Sequence, residues 1–331
     1  MGRSLIIAEA GVNHNGSLDI AKKMVEAAHR CGADVIKFQT YDVDSLVSAE
    51  APMAEYQKKN TGRDDSQRAM LEKLALTREE FSELAEFCGK TRIEFLSTPF
   101  DISSVYFLNP MQRFWKIPSG EITNYPYLRE IGKTGKPVIL STGMSTLGEI
   151  HEALDVLKSA GTGSVTLLHC TTEYPTPPEH VNLLAMKTLE KEFGLPVGYS
   201  DHTQGIEVDL AAAAMGAVVI EKHFTLDRTM EGPDHKASLE PDELAAMVRG
   251  IRKIERALGS GRKEPGEEEM QNRVAARKSI VAGRNIAEGE IFSEENITAK
   301  RPGSGISPMR WNDVLGRKAK RAFQKDEMIE L

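Results

Sequence analysis

Two histidines, His202 and His223, each stand just beyond a short apolar run, residues 197–199 and 218–220. If those runs are neighbouring strands, about 4.8 Å apart, the two imidazoles can share one divalent ion. A lone strand-end histidine is ordinarily a hydrogen-bonded structural residue. Two in succession, with Asp201 and Glu221 beside them, point instead to a cation with open positions for water and a substrate oxygen. Nitrogen and oxygen donors without cysteine suit Mn2+, Mg2+ or iron as well as zinc. A second group comprises Lys37, Thr98, Lys116, Ser119, Ser141 and Ser200, again placed where apolar runs end. Lysines in such places are desolvated unless an anion meets them, and a phosphate with hydroxyl donors around it is their natural partner. The third group, Glu9, Gln39, Glu121, Tyr174 and Asp234, can hydrogen-bond hydroxyls and offers a carboxylate as general base. Glu9 stands out, because a carboxylate buried at a strand end without a partner is costly.

The elements that must position these residues follow from the same endings. Eight apolar runs stop in turn before Glu9, Lys37, Ser97–Thr98, Lys116, Ser141, His169, Ser200–His202 and Glu221–His223. Between most of them lies helical apolar spacing, at 18–31, 78–90, 126–133, 146–160, 181–193, 204–215 and 241–258, so the chain reads as a (β/α)8 TIM barrel. Thr77 before Glu79–Glu80, and Ser145–Thr146 before Glu149, are helix-start signals. The stretch 43–65 reads as an extended loop on the face where barrel strands end. The predicted domains are a barrel over 1–258, a linker rich in glycine and charge over 259–270, and a small unit over 271–331 with short apolar runs at 279–282, 290–292 and 327–329. A unit of that size without disulfides or metal is marginal alone, so it is expected to lean on its own barrel or a partner's.

Composition narrows the function classes. The 331 residues carry a formal charge of −7, which argues against a nucleic-acid partner and leaves any anion to be gripped locally. No apolar run is long enough to span a membrane, and the first strand begins within a few residues of the start, so a cytoplasmic protein is expected. Cys31, Cys88 and Cys170 are odd in number and widely spaced, and read as inert thiols. The charge runs at 264–269 and 317–321 read as solvated surface.

The segments AEAGVNHNG (8–16), KFQT (37–40), STPF (97–100), WKIPSGE (115–121), STGM (141–144), HCTTEYPTP (169–177), SDH (200–202), EKHFT (221–225) and GPDH (232–235) form an ordered set. That set resembles the bacterial N-acetylneuraminate (sialic acid) synthases, including the legionaminic acid synthases. The tail KRPGSGISP (300–308) is similar to their C-terminal antifreeze-like (SAF) domain. The resemblance implies condensation of phosphoenolpyruvate with N-acetylmannosamine and water, giving N-acetylneuraminate and phosphate by C–O cleavage. It implies that His202 and His223 hold Mn2+ against the open-chain aldehyde. Lys37, Thr98, Lys116, Ser119, Ser141 and Ser200 would cradle phosphoenolpyruvate. Gln39, Glu121, Tyr174 and Asp234 would orient the sugar, and Glu9 would sit near the reacting carbons; from there its carboxylate is expected to accept the proton of the attacking water. Arg301 would reach the sugar's N-acetyl group from the second subunit of a domain-swapped homodimer.

One position bears on the sugar. Some relatives carry an asparagine where Thr172 stands, contacting the substrate. Threonine is compatible with N-acetylmannosamine, or with a 6-deoxy diacetamido sugar, in which case the product is N,N'-diacetyllegionaminate. Two readings from other classes stand beside these: a Schiff-base aldolase using Lys37 or Lys116, and a non-enzymatic ice- or carbohydrate-binding protein.

Overall fold

The computed structural model describes residues 2–48 and 66–331. Most of the expected loop, 49–65, lies outside the described residues. Two compact units result, Met1–Gly259 and Ser260–Leu331.

The first unit contains eight parallel strands: β1 (Leu5–Gly11), β2 (Val35–Thr40), β3 (Glu94–Pro99), β4 (Trp115–Ile117), β5 (Val138–Ser141), β6 (Val165–Cys170), β7 (Val197–Asp201) and β8 (Val219–His223). Ladders join them in the order β3-β2-β1-β8-β7-β6-β5-β4. β3 and β4 lie against each other but share no ladder. There the Ser97 amide donates to Gln112 Oε1 (2.9 Å), so a side chain stands in for a strand partner. The ring is thus the expected barrel.

Strand alternation explains the apolar-then-polar endings. Ile7, Val35, Leu96, Ile139, Leu168 and Val219 form one buried cluster inside the ring. Two residues further along each of these strands come Glu9, Lys37, Thr98, Ser141, Cys170 and Glu221, all of which line a cavity at the carboxyl ends. The opposite faces, including Ile6, Ala8, Ile36, Phe38, Trp115, Leu140, Leu167 and Ile220, pack into the main core beneath the helices.

Those helices are α1 (Leu18–Cys31), α2 (Val43–Leu46), α3 (Gln67–Leu74), α4 (Arg78–Thr91), α5 (Ile102–Leu108), α6 (Tyr125–Lys133), α7 (Leu147–Ala160), α8 (Ala185–Phe193), α9 (Glu207–Ala214) and α10 (Pro241–Leu258). Thr77 with Glu80, and Thr146 with Glu149, form full capping boxes. The sequence reading has no helix at α2, α3 or α5. Short segments give few turns of periodicity, and caps decide them: Asp42, Ser66 and Asp101 each accept a backbone N–H three residues on. α8 starts four residues later than expected because 178–180 form a 3-10 turn and Asn182 sits at φ +49°. α9 starts only after Gly205, at φ +78°.

In the second unit, β9 (Ser279–Ala282) and β10 (Ile297–Lys300) pair antiparallel. Ile280, Ile286, Phe292, Ile297, Val314, Phe323 and Ile329 build a separate core. The apolar runs at 290–292 and 327–329 contribute single bridges rather than strands, Ile291 with Lys318 and Met328 with Val281. A helix, α11 (Glu267–Ala276), covers the end of the stretch read as linker and buries none of its residues. Among the described residues no helix is long and apolar enough to cross a membrane.

Candidate active site

The cavity at the strand ends measures about 400 Å³. Its lining includes Glu9, Lys37, Gln39, Thr98, Lys116, Ser119, Glu121, Ser141, Thr172, Tyr174, Ser200, His202, His223 and Asp234. All the candidate residues of the barrel therefore share one space. Arg301 belongs to the second unit, where it is exposed just past β10.

The charges on the cavity floor are already neutralised. Lys37 Nζ lies 2.7 Å from Glu9 Oε2 and 3.8 Å from Glu221 Oε1, and donates to Thr98 Oγ1 at 3.3 Å. Lys116 Nζ donates to the same Glu221 Oε1 at 2.9 Å, and Ser200 Oγ joins it at 3.1 Å. This amends the expectation that a phosphate must meet the lysines: two carboxylates do so first. Burial would lift the Glu221 carboxyl, but Lys116 and Lys37 together outweigh it and hold it down at about 2. Burial pushes Glu9 above its ordinary value in spite of Lys37. For Lys37 itself, Glu221 and Glu9 overcome burial and raise the ammonium. Gln39 Nε2 donates to Glu9 Oε1 at 3.2 Å.

His202 and His223 stand with ring centroids 5.4 Å apart, and Tyr174 packs on both, 4.1 Å from His202 and 5.6 Å from His223. Burial drives His202 down to about 4, while burial and the neighbouring His202 push His223 well below its usual value, so both rings are neutral. Nδ1 of His202 is 2.6 Å from the Thr171 carbonyl, which keeps the proton there and leaves the Nε2 lone pair available. Nδ1 of His223 is buried without a hydrogen-bond partner, 4.0 Å from Asp234 Oδ2. Burial lifts Asp234 to about 7. Among the described residues no three His, Cys, Asp or Glu side chains gather as a metal nest. Two neutral imidazoles, one with an orphaned nitrogen, nonetheless suit a cation that takes its other ligands from water and substrate.

Asp201 corrects the sequence reading. Strand parity turns it away from the histidines to the outer face, where it pairs with Lys222. Glu221 does share the cavity, but as partner of the lysines. Sequence reasoning also missed Cys170, which lies 3.2 Å from Ser119 Oγ in the cavity wall, and an apolar side formed by Val12, Leu46, Val47, Met70, Leu71, Leu74, Phe100 and Met144. Parity along β6 places Cys170 inward, two residues beyond Leu168. The apolar side comes from α2, α3 and loops; α3 spans eight residues, so its Met70, Leu71 and Leu74 give little more than one repeat of a helical pattern. Thr172 sits at the exposed rim beside Gly143, whose own amide donates to Ser119 Oγ at 2.9 Å.

A sequence profile of the NeuB family matches residues 24–263, and one of the SAF domain matches residues 277–330. The chain belongs to the NeuB family. Among NeuB relatives, the N,N'-diacetyllegionaminic acid synthase of Campylobacter jejuni is 54% identical over 99% of both chains. That of Legionella pneumophila is 47% identical over 94% of this chain and 89% of its own. The crystal structure of an N-acetylneuraminic acid (sialic acid) synthetase from Leptospira borgpetersenii, in complex with citrate, superposes with a TM-score of 0.71. It shares 36% identity, covering 82% of this chain and 90% of that one.

Proposed function

We propose that this NeuB protein condenses phosphoenolpyruvate with a 6-deoxy diacetamido sugar and water, releasing phosphate and N,N'-diacetyllegionaminate. The single observation that carries the chemistry is the convergence of a neutral imidazole pair and a lysine pair on one cavity. The sugar assignment rests on the relatives: 54% and 47% identity to diacetyllegionaminic acid synthases, against 36% to the sialic acid synthetase. That ordering favours the diacetamido sugar over N-acetylmannosamine. Thr172 at the rim and the apolar side of the cavity also support it, since a deoxy carbon and acetamido methyls gain from apolar contact rather than from a hydroxyl's partner.

In this reading Lys37 and Lys116 grip the anionic groups of phosphoenolpyruvate, with Thr98, Ser119, Ser141 and Ser200 donating to the oxygens that remain. Gln39, Glu121, Tyr174 and Asp234 orient the sugar. His202 and His223 hold a divalent cation, Mn2+ or Mg2+, which when bound supplies Lewis-acid polarisation of the aldehyde. Glu9 accepts the proton of the water that adds to C2, and a carboxyl lifted by burial is suited to that task. Arg301 reaches the acetamido group from the second chain of a swapped homodimer. The three free thiols fit a cytoplasmic location.

The test is an assay with phosphoenolpyruvate, Mn2+ and each candidate sugar, reading phosphate release and product mass. The diacetamido sugar should give by far the higher kcat/KM, with activity abolished by EDTA and restored by Mn2+. Preference for N-acetylmannosamine would return the assignment to N-acetylneuraminate. Borohydride trapping of a pyruvate adduct without metal dependence would replace both with an aldolase.

A further inference from the structure

On the face turned away from the cavity, β7 and β8 carry a charged pair where other strands carry apolar side chains such as Ala8 and Phe38. Asp201 and Lys222 are both fully buried and lie opposite each other on the last rung of the β7–β8 ladder. The Lys222 ammonium bonds to Asp201 Oδ2 and to the Thr203 carbonyl (2.7 Å), with Asp209 Oδ2 of α9 at 3.5 Å. Asp201 also accepts from Tyr199 Oη (2.9 Å), the Thr203 amide (3.0 Å) and Thr203 Oγ1 (2.9 Å).

This cluster brackets both imidazoles along the chain. His202 lies between Asp201 and Thr203, the two residues that Lys222 grips, and Lys222 immediately precedes His223. The ladder ends one residue short of His202, so no β-rung ties that residue to β8. On its other side His202 is anchored, by Nδ1 to the Thr171 carbonyl and by its own carbonyl to the Thr176 amide (2.8 Å). Toward β8, the Lys222 clasp takes the place of the missing rung. A buried ion pair is a weak source of net stability compared with apolar packing, whereas its directional bonds fix geometry.

We propose that Lys222 and Asp201 are a positioning pair, which holds the spacing of His202 and His223 and thereby the affinity for the divalent cation. The proposal rests on the reading of those imidazoles as cation ligands. It is tested on the full-length protein with Mn2+ alone, free Mn2+ being measured by electron paramagnetic resonance, and with phosphoenolpyruvate binding measured separately without metal. Y199F removes one bond to Asp201, and D201N/K222M removes both charges. Mn2+ affinity should fall a few-fold in Y199F and about tenfold or more in the double variant, with phosphoenolpyruvate affinity unchanged in both. A folded double variant that binds Mn2+ like the parent overturns the proposal. If the double variant does not fold, parental Mn2+ affinity in Y199F overturns it. If the parent binds Mn2+ no better than H202A, the cation reading itself fails and takes the proposal with it.

Discussion

Glu9 and Glu221 set the charge of the cavity before any ligand arrives, and this sharpens what each substitution should do. Gln at position 9 keeps a hydrogen-bonding group near Gln39 and Lys37 while removing the proton acceptor. Glu9→Gln should lower kcat by about 10²–10⁴-fold without weakening phosphoenolpyruvate binding, since it removes a negative charge facing Lys37, as measured by steady-state kinetics and equilibrium titration. Parental turnover would exclude Glu9 as the base. His14, buried beside Phe38, reports on stability instead. Burial holds its pKa down to about 4, with Nδ1 accepting from the Gly16 amide and Nε2 unpartnered. The unfolded chain takes up that proton below about pH 6.5 and the folded chain does not, so stability present above 6.5 drains as the pH falls toward 4. The contribution is on the order of 3 kcal/mol. His14→Asn should flatten the fall in urea-unfolding free energy between pH 7 and 4 by nearly one proton's slope; an unchanged slope would remove His14 from the account.

Most strands present an apolar residue and then a polar one to the ring's interior; β6 follows Leu168 with Cys170, and β7 has Gly198 in the apolar place. A Cβ there would press on the Val219 carbonyl and on Leu168 Cδ2 at 2.6 Å. Gly198→Ala should therefore cost about 1–3 kcal/mol through overpacking between β6, β7 and β8, seen as a lower urea midpoint; a midpoint equal to the parent's would show that the strands yield freely. The same alternation governs how much could be read without coordinates. The apolar-to-polar switches at Glu9, Lys37, Thr98, Lys116, Ser141 and Ser200 made both the barrel and its mouth legible, because period two and the fold's geometry act together there. Asp201 obeys the same parity: with His202 and Ser200 on either side facing the cavity, it points the other way, so its place beside the histidines in the sequence does not make it their neighbour in the site. α3 and α5 are hidden for a different reason: at eight and seven residues they hold too few repeats for periodicity to stand out, and caps with tertiary burial of Met70, Leu71 and Val105 hold them.

For the molecule as a whole, Arg301 is the residue on which the proposed exchange between chains turns. Arg301→Ala should raise KM for the sugar with little change in phosphoenolpyruvate binding. Lys116→Met should weaken phosphoenolpyruvate binding by about 10–150-fold, the loss of a charge-assisted interaction worth roughly 1.5–3 kcal/mol. Refolding the two variants together, with assay at substrate concentrations well below their raised KM values, should restore part of the lost activity, since a swapped pair then owns one complete cavity. No recovery would mean each chain completes its own. The unlaced boundary between β3 and β4 carries a further consequence. Seven ladders hold their strands by repeated backbone pairing, but this boundary is bridged by side chains, the Gln112 carbonyl oxygen that accepts the Ser97 N–H and the exposed Arg113–Glu94 ion pair. A tube fastened everywhere but along one line opens along that line first. Deuterium should enter residues 97–99 and 115–117 before any other barrel strand, and Gln112→Ala should hasten it, making the wall that carries Thr98 and Lys116 the softest part of an otherwise stiff cylinder.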